Sequence, residues 1–166
     1  MRERGSDFDD FVVASAPALL RMSIALTGDR GAAEDLLQDV LERMYVAWPR
    51  IDEPSAYARR ALVNASSNRW RLRARRPEHA VAALPEVAIA DSADAQSHRD
   101  ELVRAVAMLP ARQRAVVVLR FLEDLSEAET ARALGCTTGT VKSQTARALS
   151  KLRELIPSHS TMRSTP

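Results

Sequence analysis

The 166 residues predict an all-α protein of two small helical domains joined by a flexible linker, and three observations carry that fold class. Aromatic residues make up only 4% of the chain and there are five glycines, too few for a strand-rich barrel or sandwich. Apolar residues reach 46%, mostly Ala and Leu, beside 28% charged residues, the mixture of packed amphipathic helices. Charge also falls in blocks although the net charge is only +2. Residues 29–53 hold seven acids and three bases, 55–77 seven arginines and no acid, 78–98 four acids and neither Lys nor Arg, and 132–153 five bases and no acid. Blocks of this kind give different faces to different partners.

Other classes are excluded early. The one cysteine, Cys136, cannot build a disulfide framework or a cysteine zinc site, and no metal or cofactor is expected. No apolar run approaches the roughly 18 residues of a membrane span, and no apolar stretch follows the charged N-terminus as in a secretory signal. The expectation is a soluble protein of a reducing compartment, hence cytoplasmic, with no membrane association.

In chain order, Phe8, Phe11, Val12, Leu19, Leu20 and Ile24 predict helices broken near Pro17. Thr27, Gly28 and Asp29 read as a stop and a new start. Leu36, Leu37, Val40, Leu41, Met44 and Trp48 then recur at helical spacing until Pro49 ends the helix. Glu34, Asp35, Gln38, Asp39 and Glu42 lie on its opposite face, an acidic surface that is either solvated or a dock for a basic partner. A short loop leads to Ser55, read as an N-cap, and a helix to about Arg76. That helix mixes arginines with Tyr57, Trp70, Asn64 and Asn68: guanidinium for phosphate, rings for stacking, amides for base edges. Residues 78–98 lack a helical stripe and are read as the linker between domains at 5–77 and 99–157, with a disordered tail at 158–166.

In the second domain, Leu102, Val106 and Leu109 mark one helix, and Pro110 opens another carrying Val116, Val117, Leu119 and Leu122. Ser126 with Glu129 is a capping box. Ala131, Gly135 and Val141 then have the small–glycine–apolar spacing of a helix-turn-helix. Its second helix, from about Thr138 or Thr140 to Leu152, is free of acid, with Val141, Thr145 or Ala148, Leu149 and Leu152 directed inward and Lys142, Ser143, Ala146 and Arg147 outward near its start, where such helices enter the major groove. Lys151 and Arg153 stand later, at phosphate-contacting positions. An enzyme is not expected: His79, His98 and His159 are isolated, and there is no phosphate loop, HExxH or nucleophile elbow. No catalytic residue is assigned.

Four segments resemble the extracytoplasmic-function (ECF) sigma factors of bacterial RNA polymerase, specifically the actinobacterial sigma-E-like subgroup. GDRGAAEDLLQDVLERMYVAW resembles the polymerase-binding helix, PSAYARRALVNASSNRWRLRARR the −10 helix, LPARQRAVVVLRFLEDLSEAETARALG the opening of the −35 domain, and GTVKSQTARALSKLR its recognition helix. The resemblance implies that Asp35, Gln38 and Asp39 meet the β′ coiled coil of core polymerase, and that the second domain meets the β flap. It implies −10 contacts by Arg50, Tyr57, Arg60, Asn64, Asn68 and Arg71, with Asn64 and the loop before the helix capturing a flipped base. It implies −35 contacts by Thr140, Lys142, Ser143, Gln144, Ala146, Arg147 and Lys151. An anti-sigma factor is a further partner the family implies, and the free chain is expected to be a monomer. Three positions depart from the pattern: Asn68 replaces a frequent acid, Gln144 a usual arginine and Thr145 an apolar residue. An amide favours adenine where arginine favours guanine, so the family's −35 sequence does not carry over to this chain by resemblance alone. The competing reading is a polymerase-independent helix-turn-helix regulator, which leaves the acidic helix and the arginine helix without a task.

Overall fold

The computed structural model describes residues 5–74 and 93–156, and among these every regular element is helical. Helix α1 spans Ser6–Thr27 without interruption, so the predicted break at Pro17 does not occur. Proline removes one donor and crowds the carbonyl four residues back, at Val13. Val13 is 80% exposed, and Ala14, Pro17 and Ala18 are exposed beside it. The disturbed turn therefore lies on the water side while the inner stripe, Phe8, Leu19, Met22 and Leu26, continues into the core. This helix is also long and apolar enough to cross a membrane by length and composition. That corrects the expectation drawn from uninterrupted runs, because Ala and Val on the outer face raise the average although Asp10 and Arg21 break the run. Here its inner face is packed among other helices.

Gly28 ends α1 at φ +73° and returns its N–H to Ile24 O (2.7 Å). Asp29 opens α2 (Arg30–Ala47), its carboxylate accepting the Ala32 N–H at 2.7 Å. The predicted stripe of α2 is buried: Leu36, Val40 and Met44 are inaccessible, as is Trp48 in the short 3-10 turn that follows. The Trp48 ring meets Phe8 edge-on at 5.1 Å, tying α1 to the end of α2. Helix α3 (Pro54–Ala74) begins two residues earlier than a Ser55 cap predicts. Pro54 takes the first helical position, where its fixed φ and missing N–H cost nothing. Glu53 O accepts the Tyr57 N–H (3.0 Å), and Ser55 is no cap.

Helix α4 (Ala93–Ala107) starts inside the segment read as linker. The linker reading demanded an apolar stripe, but strong helix formers such as Ala93 and Ala95 extend a helix without one. Helix α5 (Ala111–Val117) runs into a π turn at Val118–Leu122, and Asp124 (φ +51°) reverses the chain. Helices α6 (Glu127–Leu134) and α7 (Thr138–Leu155) are the last elements among the described residues. The capping box of α6 is present in both directions, and Gly135 caps its end at φ +62°. A methyl at Gly135 would meet open space, so only the left-handed backbone requires glycine there.

The two halves share one core. Leu62 and Val63 of α3 belong to the same buried cluster as Leu109, Leu119 and Ala148 of the second half. At the seam a Cβ on Gly28 would stand 2.6 Å from that of Ala107, so α1 and α4 meet end against end. Arg114, 1% exposed, fills this junction. Its guanidinium donates to Val106 O (3.2 Å), Ala107 O (2.7 Å) and Leu109 O (2.8 Å) at the end of α4, and to Leu26 O (2.7 Å) at the end of α1. Burial lowers its pKa to about 10, which still leaves it charged at neutral pH. One cation thus answers carbonyls of two helix C-termini, where positive charge is favoured.

Candidate nucleic-acid interface

The helix-turn-helix is built from α6, the Gly135 turn and α7. Val116, Ala131 and Val141 form its private core, with Leu134 and Cys136 packed against them. Thr137 starts α7 by accepting the Thr140 N–H on its hydroxyl (3.2 Å). Val141, Ala148 and Leu152 point inward as the periodicity predicted. Lys142, Ser143, Ala146, Arg147 and Lys151 are exposed. Lys142 Nζ lies 3.6 Å from Glu127 Oε2, Lys151 Nζ 3.4 Å from Glu154 Oε2, and the Ser143 hydroxyl donates to Thr140 O (3.0 Å). The expected −35 set therefore shares one basic helix face, except that Thr140 and Gln144 are half-buried at its edge.

The expected −10 residues fall into two places. Arg50, Tyr57 and Arg60 line a cleft of about 700 Å³ between the start of α3 and α6, joined by Arg59 and Arg132. Tyr57 is half-buried with its ring against the core, and Arg50 and Arg60 are exposed. Asn64 and Ser67 instead line a cavity of about 300 Å³ together with Thr140 and Gln144 of α7. Asn68 is exposed one turn further along α3. The side chains of Trp70 and Arg71 lie outside the described residues.

On α2, Asp35 and Gln38 are exposed and Asp39 half-exposed. Gln38 Nε2 donates to Glu42 Oε1 (3.1 Å), and Arg30 pairs with Glu34 at 2.9 Å. Beside this acidic edge runs an apolar groove lined by Phe8, Leu20, Leu37, Leu41, Tyr45 and Val46. Sequence reasoning missed Arg114 at the seam and grouped Arg59 and Arg69 with the nucleic-acid arginines of α3, whereas Arg59 lies 3.8 Å from Glu123 across the seam and Arg69 pairs with Asp39 at 2.5 Å. The partners of Arg59 and Arg69, and Leu26 as an acceptor for Arg114, are remote in sequence, beyond the reach of helical periodicity.

Comparison with known proteins decides the family. Residues 11–76 match the model of Sigma-70 region 2, and residues 99–152 that of Sigma-70 region 4. The chain is 40% identical over 151 residues to the RNA polymerase sigma-E factor of Streptomyces coelicolor, covering 89% of this chain and 85% of that protein. The ECF RNA polymerase sigma factor SigM of Mycobacterium tuberculosis is 37% identical over 128 residues, 75% of this chain and 64% of that one.

The chain belongs to the ECF sigma factors of RNA polymerase.

This sigma factor is similar in structure to the sigma factor RpoE of Bartonella quintana, solved in complex with the anti-sigma factor NepR (TM-score 0.74, 28% identity, 90% of this chain and 96% of that one). CnrH, solved with the cytosolic domain of CnrY, shares the fold at 20% identity (TM-score 0.64, 89% and 86% covered). The two family matches cover both halves of the chain, which is an alternative sigma factor of RNA polymerase.

Proposed function

We propose that this sigma factor docks on core polymerase through α2, with Asp35 and Gln38 as polar contacts, reads the −35 duplex with the exposed face of α7, and captures the −10 non-template strand with α3. The observation that carries the reading is the outward face of α7, free of acid from Thr138 to Arg153, behind an intact helix-turn-helix core. Lys142 and Arg147 are placed for base edges or phosphates, Gln144 for an adenine amide contact, and Lys151 for phosphate. On α3, Asn64 and Asn68 supply amides, with Arg50, Tyr57, Arg60 and Arg71 providing charge and stacking around them. The second half also meets the β flap. The protein performs no covalent chemistry and acts in the cytoplasm as a monomer when free. An anti-sigma factor holds it in reserve, a reading supported by the partners in the two similar complexes.

Flipping a base costs a few kcal/mol, and stacking returns about 1–3 kcal/mol per base. Opening is thus near balance, and polymerase contacts tip it. The closed packing of the two halves adds a second requirement. Asn64 and Gln144 line one cavity of about 300 Å³, the size of a small-ligand pocket, whereas α7 must enter a major groove about 12 Å wide. The halves therefore separate before both elements engage DNA. A mobility-shift assay tests this: the free chain should give no specific shift on a promoter that the same chain binds with core polymerase. Specific, tight binding by the chain alone would favour a polymerase-independent regulator.

A further inference from the structure

Arg69 stands among the arginines of α3 yet turns toward α2. It lies five residues beyond Asn64, about 140° around the helix, on the side facing α2. Its Nη2 donates to Asp39 Oδ2 (2.5 Å) and its Nη1 to Ala32 O (3.4 Å). Those acceptors are seven residues apart on α2, so the guanidinium spans two turns of that helix. Beneath it, α3 buries Leu62, Val63, Ala65 and Ser66. Asp39, half-exposed, therefore presents one carboxylate oxygen to α3, while its neighbours Asp35 and Gln38 face solvent.

We infer that Arg69 is a positioning residue for −10 strand capture, with Asp39 as its anchor, and not a phosphate contact. The pair ties the polymerase-docking helix to the strand-reading helix, so the seating of α2 on polymerase fixes where Asn64 is held. This rests on the functional reading given above. Both side chains are partly exposed, and pairs of that kind carry modest energies, so the effect belongs in opening rather than in folding.

The test uses reconstituted holoenzyme on one promoter, with Arg69→Gln, Asp39→Asn and the double variant. Three quantities are read: core affinity, the salt dependence of closed-complex formation, and the opening rate from permanganate reactivity at the −10 element. Arg69→Gln should leave core affinity and the salt slope unchanged and slow opening about threefold to tenfold. Asp39→Asn should slow opening equally, and the double variant no further, since the two act as one unit. Thermal melting of each variant should stay close to the parent, which separates positioning from loss of fold. A salt slope reduced by about one in Arg69→Gln would make it a phosphate contact. Additive defects would give the two residues separate tasks, and unchanged opening would remove any role; each overturns the proposal. A parent chain that binds core but opens no promoter overturns the functional reading itself, and the proposal with it.

Discussion

Arg147 and Asn64 stand on different helices and carry different steps. Arg147 is exposed on the early, acid-free part of α7. Arg147→Ala should weaken promoter binding by holoenzyme by about 1–3 kcal/mol and relax sequence preference at one −35 position; equilibrium binding to a set of single-base promoter variants checks this. Asn64 is exposed in the middle of α3 and lines the cavity facing Gln144. Asn64→Ala should slow opening more than it weakens the closed complex, as measured by opening kinetics beside closed-complex affinity. Side-chain direction on α7 was legible in the sequence because a helix converts spacing into angle: Val141 and Ala148 went inward, Lys142 and Arg147 outward. The pairing of Asp39 with Arg69 was not, since thirty residues separate them and only the packing of α3 on α2 brings them together.

The helices themselves divide the same way. Caps and turns were legible where a few neighbouring residues decide the geometry, as in the Ser126 and Glu129 capping box and the left-handed Gly135. Pro17 misled because the rule that proline breaks helices depends on which face bears the lost bond, and here it is the wet one. Ser126→Ala should cost about 1 kcal/mol by removing the acceptor for the Glu129 N–H, visible as a lowered melting temperature. The hydrogen bonds from Ser126 hold the Glu129 pKa below its ordinary value. Its support of α6 is therefore complete above the normal carboxylate range and fades as pH falls through that lowered value. Replacing Glu129 by Gln should flatten this part of the acid-stability profile in circular dichroism titrations. On α2, combining Asp35→Ala with Gln38→Ala should weaken holoenzyme assembly while leaving helicity intact, because both side chains are exposed and neither supports the core; a core-binding titration with circular dichroism measures both.

At the scale of the molecule, the division into two regions was legible from charge blocks and motif order, and their mutual packing was not. The seam depends on contacts that leave no periodic trace: Arg114 reaching Leu26 O, Gly28 against Ala107, and Arg59 near Glu123. When the halves part, Arg114 keeps its bonds to Val106 O, Ala107 O and Leu109 O at the end of α4 and gives up the one to Leu26 O. Gly28→Ala places a methyl where Ala107 stands and forces alanine to φ +73°. It should destabilise the closed form by more than about 1 kcal/mol and enlarge the radius of gyration in small-angle scattering without loss of helix.

Run-off transcription brings these scales together. The purified chain is added to sigma-free core polymerase from a high-GC bacterium on a pool of promoters. Discrete transcripts should appear whose start sites share a −35 and a −10 element, and they should vanish with the Asp35 and Gln38 double variant. A chain that assembles with core polymerase yet yields no specific transcript would contradict its assignment as a promoter-reading sigma factor.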